Sequence, residues 1–173
     1  MKLKALVTAL LLALAGGLTG AAAAKEVNTL EVSTFHALLQ DYEAIRLSLL
    51  DDSLTHVAHR GEAMTGQVTE LAQNFDAERA GVAADKSAEC EALLPEILSA
   101  TTRLAEATSL DEAREAFFAL SQPMGRYRKL AGVEGSMVVY CSMVKKAWIQ
   151  PHGEIGNPYA GQMMPMCGEM VAD

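Results

Sequence analysis

Positive charge is scarce in this chain. Fourteen lysines and arginines stand against 22 aspartates and glutamates in 173 residues. With Lys2 and Lys4 of the leader set aside, 12 basic residues remain and the formal charge is −10. Such a surface repels nucleic acid and anionic lipid and tolerates cations, so no nucleic-acid partner is expected. The short signatures of common catalytic machineries are also missing. There is no Gly-x-Ser-x-Gly elbow, no His-Glu-x-x-His, no phosphate-cradling glycine loop and no dinucleotide fingerprint. Cys-x-x-Cys is absent, which argues against a thiol oxidoreductase. Glu-x-x-His pairs are absent too, which argues against a ferritin-like di-iron bundle. The expectation is a protein that is not an enzyme.

The N-terminus carries an export signal. Lys2 and Lys4 supply a positive start, Ala5 to Leu14 form an apolar stretch broken only by Thr8, and Ala22-Ala23-Ala24 offers a small-residue cleavage site. The apolar stretch is short for a bilayer span, and no cysteine near the cleavage site invites lipidation. Residues 1–24 are therefore expected to be a signal peptide. The mature chain would be periplasmic or secreted, with no membrane span after cleavage. Three cysteines in an oxidising compartment allow one bridge and leave one thiol over.

From Thr29 to Leu130 strand signals are nearly absent, and the chain shows neither an internal repeat nor a low-complexity tract after the leader. What is present is helical periodicity. Phe35, Leu38, Leu39, Tyr42, Ile45 and Leu49 recur at helical spacing behind a cap at Ser33 or Thr34. A second helix, capped by Asp52 or Ser53, would bury Leu54, Val57, Met64, Val68 and Leu71. Gly61 and Gly66 either weaken it, by about 1 kcal/mol each if exposed, or let a neighbour approach closely. A third is expected from about Lys86 to Ala107, kinked or divided at Pro95. Ser109-Leu110-Asp111-Glu112 is a capping box that starts a fourth, bent at Pro123. The predicted fold class is all-α: an up-down-up-down four-helix bundle over residues 25–132. Residues 133–173 would be an irregular segment packed on it, with room for one short strand at Met137-Val138-Val139-Tyr140.

That last segment holds two of the three cysteines and most of the methionines. It contains Tyr140-Cys141-Ser142-Met143, Trp148, Asn157-Pro158-Tyr159-Ala160-Gly161 and Met163-Met164-Pro165-Met166-Cys167-Gly168. Thiolate and thioether are the soft donors that select Cu(I). A stretch of some forty residues punctuated by glycine and proline also calls for a cross-link to hold it.

The order Tyr140-Cys141-x-Met143, Trp148, Ile155-x-Asn157-Pro158-Tyr159-x-Gly161, Met164 and Cys167-Gly168 resembles a bacterial family of exported domains of unknown function. Members of that family stand alone or extend the C-terminus of periplasmic adaptor subunits of copper and heavy-metal efflux pumps. Leu47 to Val57 and Arg114 to Met124 look like its helical part, so the resemblance covers most of the mature chain. Two positions depart from the pattern: Ser142 stands where proline is common, and Ala160 where an aromatic residue is common. The resemblance implies an association with metal handling, with an efflux adaptor as a possible partner.

Two readings of Cys141 and Cys167 remain open from their chemistry. With Met143 and Met164 they would form a Cys/Met site for Cu(I) or another soft ion, weakening as pH falls because thiolates must shed protons. Met163, Met166 and His152 would be reserve ligands. Alternatively the two cysteines form a structural disulfide, and the domain is a non-metal interaction module whose tail is fixed by it. Cys90 sits on an apolar helical stripe and is expected to be a small buried thiol. His56 and His59 lie three apart without a third ligand and are expected on a solvated face, and His36 is alone and uninformative. Trp148, Tyr159 and Tyr140 are expected to form the core of the tail.

Overall fold

The computed structural model describes residues 33–172, so the expected signal peptide lies outside the described residues. Six helices come first: α1 (Thr34–Leu50), α2 (Val57–Gln73), α3 (Ala77–Ala80), α4 (Ser87–Glu91), α5 (Leu94–Glu106) and α6 (Leu110–Ala131). Three strands follow, β1 (Ser136–Cys141), β2 (Lys146–Pro151) and β3 (Glu169–Val171). They form one antiparallel sheet in the order β2-β1-β3. The expectation of an all-α four-helix bundle with an irregular tail is therefore overturned: the fold is mixed, helices with an antiparallel sheet.

The helical part follows local chemistry closely. Ser33 caps α1, and Phe35, Leu38, Tyr42, Ile45 and Leu49 line its buried face. Ser109 caps α6 by accepting from the amide of Glu112. The Glu112 carboxylate turns back one residue further than a standard box, accepting from the amide and hydroxyl of Thr108 at 2.8 and 2.9 Å. Pro95 divides the third expected helix into α4 and α5, because a proline, which has no amide hydrogen to donate, fits best in a first turn. Pro123, by contrast, sits inside a single α6.

The start of α2 differs from expectation. Neither Asp52 nor Ser53 caps it; the chain turns through Asp52 (φ 51°) and His56 (φ 69°) before Val57 begins the helix. The four longer helices pack in sequence, α1 on α2, α2 on α5, α5 on α6, and α6 back on α1. Gly61 makes the α2–α5 contact close, since a Cβ there would stand 2.7 Å from the Ala105 nitrogen.

The sheet arises where helical periodicity stops. Val138, Val139 and Tyr140 favour strand, and β1 turns through Ser142–Lys145 into β2, with register Ser136↔Pro151 through Cys141↔Lys146. Met137, Val139 and Cys141 alternate onto the buried face. β2 packs against α6, and Trp148, Ile149 and Tyr159 join the same continuous apolar core as Phe117 and Leu120.

Candidate functional site

The C-terminal segment is anchored by polar side chains that the helices project into it. Arg46 of α1 grips Glu43 with Nε and Nη2, both at 2.7 Å, and donates its Nη1 to the carbonyl of Gly156 at 2.7 Å. Arg114 of α6 donates Nε to the Pro158 carbonyl at 2.9 Å and Nη2 to the Leu49 carbonyl and to Asp52. Asp52 in turn accepts from the amide of Gln162 at 3.1 Å, and Gln162 donates its side-chain amide to the Leu50 carbonyl. Arg114, then the Gln162 amide, hold the Asp52 carboxyl below its ordinary pKa. Position 161 must be glycine in this arrangement. It has φ +52°, and a Cβ there would collide with Asp52 and Arg114.

A buried hydroxyl chain ties tail to helices. The Ile149 amide donates to the Tyr42 hydroxyl (3.1 Å), which lies 2.7 Å from Ser121 Oγ. Ser121 donates to the Phe117 carbonyl and lies 3.0 Å from the Tyr159 hydroxyl, which reaches the Ala147 carbonyl. With Tyr42 donating to Ser121, the hydroxyls of Tyr42, Ser121 and Tyr159 each have a partner. Burial drives the pKa of Tyr42 and of Tyr159 well above the usual tyrosine value.

At the end of the sheet, Cys141 and Cys167 are joined in a disulfide, Cα to Cα 5.7 Å. Cys141 is buried at the end of β1, and Cys167 is partly buried beside it. The sulfurs are bonded to each other, so in this state neither is a thiolate donor. Of the other expected ligands, Met143 is 71% exposed in the β1–β2 turn. Met164 is half-buried in the turn closed by the Cys167 amide on its carbonyl at 3.1 Å. Met163 and Met166 are 87% and 70% exposed, and Met170 is exposed on β3. His152, just past β2, is exposed, with its amide on the Gly135 carbonyl. His36, His56 and His59 are on exposed faces, and Cys90 is buried with a free thiol whose pKa burial raises. Among the described residues, no three His, Cys, Asp or Glu side chains gather as a metal group.

Trp148 and Tyr159 are buried and pack edge to face, ring centroids 5.9 Å apart, whereas Tyr140 is half-buried. Asn157 ties its own turn to the disulfide. Its Oδ1 accepts from the amides of Tyr159 and Ala160, and its Nδ2 donates to the Cys167 carbonyl. Arg46, Arg114 and Gln162 carry much of the tail's polar anchoring and leave no mark on the periodicity, while Asp52, expected as a helix cap, instead holds Arg114 and the Gln162 amide. Only the placement of Arg46 beside Ile45, at the margin of an apolar stripe, hinted at a buried charge.

No family model, curated protein or solved structure matches the chain. Among the described residues, no helix is long and apolar enough to cross a membrane.

Proposed function

We propose that the protein is an exported, periplasmic soft-metal-binding protein for Cu(I) or a similar ion, serving to sequester it or pass it to an efflux system. One observation carries this reading: sulfur-bearing side chains concentrate in the C-terminal segment, with most of its thioethers presented to solvent rather than packed inside. Met64, Met124 and Met137 are buried in the core, while Met143, Met163, Met166 and Met170 are exposed. Exposed large apolar side chains are normally few and scattered. Of the five in the described chain, four are methionines of this segment and the fifth is Leu47. Soft thioether donors on an acidic surface suit a monovalent soft cation. The test is a Cu(I) titration of the mature protein, both oxidised and reduced, against a competing chromogenic chelator. Uptake of about one ion per chain in either state supports the reading, and none in both overturns it.

The bonded pair Cys141–Cys167 favours a second reading, the non-metal interaction module with a disulfide-fixed tail. Here the exposed methionines would be an adaptable contact surface for an envelope partner such as an efflux adaptor. Protein purified from the periplasm would then be lighter by two hydrogens than its reduced form and carry no copper.

A further inference from the structure

The disulfide and the metal reading need not compete, because the bridge itself assembles a thioether surface. Building on the soft-metal reading, we infer that Met143, Met163 and Met166 form a Cu(I)-type site that works with the Cys141–Cys167 bond intact.

The geometry starts from two turns. The first leaves Cys141 and is closed by the Lys145 amide on the Cys141 carbonyl at 2.8 Å; it carries Met143. The second arrives at Cys167, closed by its amide on the Met164 carbonyl, and carries Met164, Pro165 and Met166. The bridge pins the two turns at a Cα separation of 5.7 Å. Strand pairing aims them the same way. β1 and β3 pair as Val138↔Val171, Val139↔Met170 and Tyr140↔Glu169. Continuing that direction brings the residues after Cys141 and those before Cys167 to the same end of the sheet. The second turn is held from behind, because the Asn157 amide donates to the Pro165 carbonyl at 2.7 Å and the Asn157 side chain to the Cys167 carbonyl.

Packing does not account for these side chains. Met143, Met163 and Met166 are 71, 87 and 70% exposed, so their sulfurs contribute little to the core. Thioethers are soft neutral donors able to hold a monovalent d10 ion. They differ from thiolates in one measurable respect: no proton has to leave, so their affinity does not fall with pH in the way a cysteine site's does.

The experiment uses oxidised mature protein, its bridge verified by mass after alkylation without reductant. Cu(I) is maintained by ascorbate, which leaves disulfides closed, and is competed against a chromogenic chelator at pH 5.5 and 7.5. The expected result is binding with the bridge closed, changing less than threefold between the two pH values. The triple variant Met143→Leu, Met163→Leu, Met166→Leu should lose at least tenfold in affinity while keeping its thermal midpoint, since the substituted positions are exposed. Equal affinity of that variant and the parent overturns the inference. Binding only after reduction, steeply weaker at pH 5.5, also overturns it but leaves the soft-metal function standing on Cys141 and Cys167. Binding in neither redox state removes both.

Discussion

The side-chain amide of Asn157 donates to the backbone carbonyl of Cys167 across 2.9 Å, fastening the Asn-Pro-Tyr turn to one end of the disulfide. The same side chain accepts from the amides of Tyr159 and Ala160 and is fully buried. Truncating it leaves two amides and a carbonyl without partners, at about 1–3 kcal/mol for each group that water cannot reach. Asn157→Ala should therefore cost roughly 2–4 kcal/mol, read as a lower urea midpoint at unchanged slope. A midpoint equal to the parent's would show that the turn is held by other contacts.

Asp52 and Gly161 meet where the end of α1 touches the tail, and each constrains the other. Gly161→Ala would push a Cβ into Asp52 and Arg114 at a positive φ, so a clear fall in thermal midpoint is expected. Asp52→Asn should be milder and pH-dependent. Because the folded-state pKa of Asp52 is depressed, its stabilising effect is present above the ordinary aspartate value of 3.8 and is lost as pH falls through the lower folded value. Parent and Asp52→Asn should thus converge in stability as the pH drops below about 4. Parallel stability curves across that range would contradict the assignment.

How much of this could be read beforehand depends on which interactions are local. The capping serine at 109, the apolar stripe from Phe35 to Leu49 and the break at Pro95 are written within a few residues, and the structure follows them. The sheet is different. β3 has only three residues, and its pairing with β1 crosses more than two dozen positions, so periodicity within a window carries no trace of it. Arg114 is a plain helix-surface residue until Pro158 and Asp52 are folded against it. The same applies to the site: Cys141 and Cys167 could be named as partners, but whether their sulfurs bond or wait for a metal depends on a spacing in three dimensions.

The buried hydroxyls predict behaviour at high pH. Tyr42, Tyr127 and Tyr159 all have raised folded-state pKa values, chiefly through burial. Their neutral forms are favoured in the native state, so this contribution is fully present below the unfolded tyrosine value near 10 and is lost as pH rises beyond it. Tyrosine absorbance at 295 nm should therefore show these three groups ionising only together with unfolding, about pH 11 or above. Ser121→Ala removes the hydroxyl between Tyr42 and Tyr159 and should cost about 1–2 kcal/mol. Smooth ionisation of all four tyrosines without loss of helical circular dichroism would refute the buried chain.

Thiol chemistry tests the tail most directly, because the three cysteines are in two distinct situations. Cys141 and Cys167 are bonded, and Cys90 is a buried free thiol with a raised pKa. Native oxidised protein should show no fast reaction with a thiol reagent. Unfolding it without reductant should reveal one thiol per chain, and adding reductant should reveal three. The bridge closes a loop with a sequence separation of 26, for which chain entropy gives about 3–4 kcal/mol. The paired substitution Cys141→Ala and Cys167→Ala should lower stability by about that amount, with the helices persisting, since α1, α2, α5 and α6 pack on one another independently of the bridge. Three thiols in denatured protein that has never met a reductant would mean that the bond does not form, and the thioether surface would lose the clamp that aligns its two turns.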